Sequence, residues 1–186
     1  WLCKIHLSHT GQKDTLKYIL DFINNIKRKK PRNNDKYNMD IEKSLNNEQL
    51  DSLFSILAPG SKLNPFSEKV QKRNNLIFLL LHCFGLRAGE LLNLRIGDID
   101  FAESTIAIRR RANDKTDPRV YQPLVKTCER KLIADKKLMF EISDYILNDR
   151  RNIKNSNKHD FLFITYKEGK TQGQPISFSS YHKVVS

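Results

Sequence analysis

Residues Leu76 to Phe84 read Leu-Ile-Phe-Leu-Leu-Leu-His-Cys-Phe, and a chain that must hide such a run from water is committed to a packed core around it. The run is far too short to span a bilayer, which takes about 20 apolar residues. With the polar residues ahead of it, it makes one helix from about Glu68 to Phe84, and this helix is expected to be the most buried element. His82 and Cys83 lie inside the run and read as core, not as ligands. Gly85 then breaks the chain, and a new helix carrying Arg87, Glu90, Leu91 and Leu94 ends near Gly97.

Around this centre the hydrophobic period changes twice. Leu16, Ile19, Leu20, Ile23 and Ile26 mark an amphipathic helix from about Thr15 to Lys30, and the basic cluster Lys27 to Lys30 suits the negative pole of its dipole. Pro31 and the polar stretch Arg32 to Asp40 read as a linker and a domain boundary. Asn46 with Gln49 is a capping-box pair that opens a helix through Leu50, Leu53, Phe54 and Leu57, stopped by Pro59-Gly60. Ser104 to Arg111 alternates as a strand, with Arg109 and Arg111 on one face and Arg110 on the other. Turn residues follow, then expected strands at Arg119 to Lys126 and Arg130 to Ala134. Helical spacing returns from Asp135 to Asn148; Phe161 to Thr165 is a short strand-like run, and the Ser177 to Ser180 cluster prepares a last helix. The sum is an α+β chain, mainly helical with one small three-stranded antiparallel sheet.

Charge narrows the partner. Lys and Arg total 33 against 21 Asp and Glu, a net charge of +12. Such an excess favours a polyanion, because each phosphate neutralised releases condensed counterions; a merely soluble basic protein is the competing reading. The cysteines, Cys3, Cys83 and Cys128, are odd in number and scattered, which fits a reducing cytoplasm and no disulfide framework. Cys3, His6 and His9 share a helical face, but no fourth zinc ligand accompanies them, so no metal or other cofactor is expected. The chain opens on Trp1 with no leader pattern behind it and reads as part of something longer, with no membrane segment.

The most informative segment is Gly85-Leu86-Arg87-Ala88-Gly89-Glu90-Leu91-Leu92-Asn93-Leu94-Arg95. Residues three apart share a helix face, so Glu90 is placed to hold the Arg87 guanidinium ready for a phosphate; the same spacing also describes an ordinary surface ion pair. The phrase Gly-Leu-Arg-x-x-Glu-Leu-x-x-Leu, followed by Gly97-Asp98-Ile99-Asp100, resembles the first conserved box of the tyrosine recombinase (phage integrase) family. The order of strand, hairpin with Lys-Thr, Arg, strand and amphipathic helix is similar too, and the likeness extends from about Asn46 to Ser186.

The resemblance implies a division into residues 1–40, the end of a core-binding domain with its linker, and residues 41–186, the N-terminal part of a catalytic domain. It implies that Arg87 binds the scissile phosphate, that Glu90 supports it, and that a hairpin lysine protonates the leaving oxygen. Lys126 is the preferred lysine, because it runs without a gap into the Arg130 strand; Lys115 is the alternative. Arg109, Arg111 and Arg130 are expected to touch the DNA backbone. The family's His-x-x-Arg box and nucleophilic tyrosine do not appear: neither His159 nor His182 has an arginine three residues on, and Tyr181 falls in the helix before that box. The expected function is therefore DNA strand breakage and rejoining in site-specific recombination through a phosphotyrosyl intermediate, with this piece inactive alone. Double-stranded DNA is the implied partner, with self-association on it for the intact protein. A non-catalytic DNA-binding regulator related to integrases is the alternative.

Overall fold

The computed structural model of the chain describes residues 45–185. The helix expected at Thr15 to Lys30, the linker after it and the Cys3-His6-His9 cluster lie outside the described residues. Helix α1 (Asn47–Leu57) opens on the expected box: the Asn46 side chain accepts from the Gln49 N–H at 2.8 Å, and the Gln49 side chain from the Asn46 N–H at 3.0 Å. Helix α2 (Glu68–Phe84) sends Leu76, Ile77 and Leu80 into the core. It stops at Gly85, whose left-handed φ of 57° turns the chain out of the helix while its N–H still bonds Leu81 O at 2.9 Å. His82 and Cys83 correct the expectation of core residues, for both are exposed. They sit on the last turn, past the packed region; Cys83 opens on a groove of about 470 Å³ with Phe54, Leu79 and Leu138. No helix among the described residues is long and apolar enough to cross a membrane.

Helix α3 (Ala88–Leu92) is a single short helix, and a 3₁₀ turn at Ile96–Asp98 leads into the sheet. Strand β1 (Ile99–Asp100) pairs antiparallel with β2 (Thr105–Ile108), which pairs antiparallel with β3 (Arg130–Ile133). The sheet has the expected size but not the expected members. Arg119 to Lys126 forms no strand, and β1 takes the third place. Pro118 and Pro123 have no N–H to give a ladder, and the polar groups between them are committed elsewhere. Gln122 exchanges hydrogen bonds with the Asp114 backbone at 2.7 and 3.0 Å, the Asn93 amide donates to Pro123 O, and the Arg119 guanidinium turns inward. Residues 109–129 are thus one long irregular excursion between β2 and β3, laid over α3. At Gly89 a β-carbon would collide with the Leu124 carbonyl oxygen, so the excursion approaches as closely as only glycine permits.

Helix α4 (Lys136–Asp144) starts at Asp135, whose carboxylate accepts from the Leu138 N–H at 2.6 Å, and continues into a π-turn at Tyr145–Asp149. The run Phe161 to Ile164 is wholly buried but belongs to no strand. It is tied by single bridges instead, Leu162 N–H to Leu94 O at 2.8 Å and Ile176 N–H to Phe163 O at 3.0 Å. Helix α5 (Phe178–Val185) ends the description and buries Tyr181. Among the described residues the fold is α+β, mainly helical, with one small antiparallel sheet.

Candidate active site

The site is built on one buried carboxylate. Glu90 lies in α3 with 2% of its surface exposed. Its Oε2 accepts from the Arg87 backbone N–H at 2.9 Å and from Arg130 Nη2 at 3.0 Å. Its Oε1 accepts from Arg130 Nη1 at 2.6 Å and from the Thr127 hydroxyl. A carboxylate offers about four lone-pair sites, and all are filled. The hydrogen bonds from Arg130, then those from Thr127 and the Arg87 N–H, hold the Glu90 carboxyl at about 2 despite the opposing effect of burial. Arg130 is pushed up in turn by the same pair.

This corrects the expected partnership. Glu90 does not touch the Arg87 guanidinium; it caps the Arg87 backbone and gives its charge to Arg130. The sequence spacing was right about which residues meet but could not show that a residue 40 positions on would fill the carboxylate first. Arg87 is exposed, and its guanidinium has no hydrogen-bond or ion-pair partner among the described residues.

Both candidate lysines, Lys126 and Lys115, are exposed and lie in the same β2–β3 connection, since no strand separates them. They are anchored differently. Lys126 precedes Thr127, which is bound to Glu90. Lys115 rides on a turn in which Asp114 Oδ1 accepts from the Thr116 N–H at 2.8 Å and its hydroxyl at 2.7 Å; Arg95 pairs with Asp114. Glu90 therefore joins the Arg87 end of α3 to the Lys126 loop, while Lys115 is tied through its neighbour Asp114 to Arg95, beyond the end of α3.

Of the other expected contacts, Arg111 meets the buried Asp98 carboxylate through both terminal nitrogens at 3.0 and 2.6 Å, and Arg109 reaches it through Nε at 3.3 Å. Arg109 keeps 58% of its side chain exposed; Arg111 keeps 22%. Alternation had placed these two on one face, which the shared carboxylate explains. Arg110 is exposed.

Sequence reasoning missed that much of the basic excess is internal scaffold. Arg119 binds Asp117 and the carbonyls of Leu92 and Ile176 at 3.0 and 3.1 Å. Arg150 binds the carbonyls of Phe161, Ser156 and His159 at 2.9, 2.9 and 2.8 Å. Arg73 binds that of Ile164 at 3.0 Å, and Arg95 and Arg119 both lie against the Phe161 ring. Burial lowers the pKa of Arg73 and Arg150. The Asp117-x-Arg119 spacing was the one local clue; backbone carbonyls leave no trace in a sequence. His159 hydrogen-bonds Gly173 O at 2.7 Å, and burial pushes the Tyr181 hydroxyl up.

A family model described as the Phage integrase family matches residues 43–186. The chain is 35% identical over 114 residues to transposase A from transposon Tn554 of Staphylococcus aureus, covering 61% of this chain and 29% of that protein. It is 30% identical over 141 residues to tyrosine recombinase XerA of Thermococcus kodakarensis, covering 74% of this chain and 45% of that protein. The chain thus spans less than half the length of these curated relatives. Among solved structures, the integrase of transposon Tn1549 in complex with transposon right end DNA shares the fold, with a TM-score of 0.53 at 24% identity over 74% of this chain and 41% of that chain.

Proposed function

The chain belongs to the phage integrase family, and from that premise we propose that it carries the first half of a tyrosine recombinase active site, working on double-stranded DNA in site-specific recombination. Arg87 binds the non-bridging oxygens of the scissile phosphate and stabilises the charge of the five-coordinate transition state. Lys126 protonates the 5′ oxygen as it leaves. A tyrosine outside these residues attacks phosphorus as the phosphorus–5′-oxygen bond breaks, and the phosphotyrosyl bond conserves the energy for rejoining without metal or nucleotide. Residues 41–186 act as the N-terminal part of the catalytic domain and residues 1–40 as the end of a core-binding domain. Lacking a His-x-x-Arg box and the attacking tyrosine, these residues alone do not cleave. The intact protein works in the cytoplasm and self-associates on its DNA.

One observation carries this reading: Glu90 draws the Arg87 backbone and Thr127 onto a single buried carboxylate while taking neither the Arg87 guanidinium nor the Lys126 ammonium. Among the described residues neither cation has a partner, and both extend from main chain fastened to one carboxylate, as binding of a scissile phosphate requires. The same criterion sorts the other basic residues. Arg109 touches Asp98 only through Nε and keeps 58% of its side chain exposed, so its terminal nitrogens are proposed for the DNA backbone. Arg111 and Arg130, expected at the DNA backbone, have their forks filled by Asp98 and Glu90 and are proposed to act as scaffold.

The test is covalent trapping of the full-length protein on a nicked suicide substrate made from its own recombination site. Arg87→Ala and Lys126→Ala are expected to abolish or severely reduce trapping, and Lys115→Ala to leave most of it. Trapping at the wild-type level by Arg87→Ala would overturn the proposal.

A further inference from the structure

We infer that Arg130 is a positioning residue for Lys126, holding the loop that presents the leaving-group acid, with Thr127 as its second anchor; this rests on the reading of Lys126 just given. Arg130 is the first residue of β3, and Lys126 lies four positions before it. The turn between them is fastened to the same carboxylate at both ends, by the Thr127 hydroxyl on Oε1 and by the Arg130 fork on both oxygens. Arg130 Nη1 also reaches the Thr127 hydroxyl at 3.4 Å, closing the loop on itself. Lys126 is the first residue outside this clamp, so its main-chain position is set by groups already bound to Glu90.

The clamp has an electrostatic side as well. Glu90 is ionised and buried, and an uncompensated charge there would claim the nearest free cation. Arg130 supplies the countercharge, which leaves the Arg87 guanidinium and the Lys126 ammonium unneutralised. Arg130 itself has no fork left to grip a phosphate, since Nη1 and Nη2 both face Glu90. It acts on cleavage chiefly through the lysine, whose loop it fastens, and on Arg87 only by keeping the Glu90 charge occupied.

A leaving group that needs no proton separates this role from a general structural one. In a substrate whose bridging 5′ oxygen is replaced by sulfur, the tyrosine attacks phosphorus, the phosphorus–sulfur bond breaks, and the thiolate departs unprotonated, because a thiol is a far stronger acid than an alcohol. In the full-length protein, Lys126→Ala is expected to slow cleavage of the oxygen substrate about 10²- to 10⁴-fold and to recover to within about tenfold of wild type on the sulfur substrate. Arg130→Met is expected to be slow on oxygen and to recover the larger part of its defect on sulfur, the remainder being the share of Arg87 drawn to the uncovered Glu90 charge. Arg87→Ala is expected to stay slow on both. Arg130→Lys, which keeps charge without the fork, and Thr127→Val, which removes one hydroxyl, give milder versions and serve if Arg130→Met does not fold. An Arg130 or Thr127 defect equal on both substrates, or no defect on oxygen, overturns the inference. Failure of the sulfur substrate to restore Lys126→Ala instead removes the lysine assignment, and the inference with it.

Discussion

Arg130 meets Glu90 in a two-point fork, Nη1 to Oε1 at 2.6 Å and Nη2 to Oε2 at 3.0 Å, so that the carboxylate at the start of α3 is neutralised from β3 and not from its own helix. This pairing joins the two parts of the proposed site and frees Arg87. It also makes the fold depend on an ionised acid.

The first consequence is acid sensitivity. The Glu90 carboxyl is held at about 2, below its ordinary range, so it contributes stability in full above about pH 4.3 and loses it as pH falls toward its folded value. The contribution is on the order of 3 kcal/mol. Asp114 and Asp144 are lowered too, by Thr116 and Lys72 first, so the comparison must be with Glu90→Gln. Urea unfolding at about pH 6 and about pH 3 is expected to show a smaller acid loss in that variant than in wild type. Equal losses would mean that folding does not lower the Glu90 pKa.

Gly89→Ala is expected to destabilise by about 1–3 kcal/mol, because the added methyl meets the Leu124 carbonyl oxygen, a backbone atom with no rotamer to escape into. Thermal denaturation measures this; an unchanged midpoint would show that the excursion does not lie against α3.

Arg119→Met is expected to cost about 3–5 kcal/mol, since it strands the Asp117 carboxylate, 1% exposed, without its cation. The Leu92 and Ile176 carbonyls lose a donor as well. Converting Asp117 to Asn in the same background should recover part of the loss, a non-additivity that a double-mutant cycle reads directly.

Salt dependence separates DNA contacts from scaffold. Arg109→Ala is expected to reduce the slope of log affinity against log salt by about 0.9 for the full-length protein on DNA, with little effect on stability. Arg111→Ala should do the reverse, because its guanidinium is spent on the buried Asp98. Fluorescence anisotropy across a salt series, beside a melting curve, distinguishes the two.

Much of this was legible in the residues themselves. The α1 capping box, the buried α2 and its stop at Gly85, β3 and the start of α4 follow from spacing and local chemistry, which act within a turn or two of helix or along one strand. The meeting of positions 87 and 90 followed in the same way. What tertiary structure alone decided are pairings across long stretches of chain: that Arg130 and not Arg87 fills Glu90, that β1 and not Arg119 to Lys126 completes the sheet, and that Arg73, Arg119 and Arg150 turn inward to carbonyls. A guanidinium on its long stem reaches in many directions and can bind either an acid or a carbonyl. Its partner is set by where the packed core brings the chain back, and no local pattern encodes that.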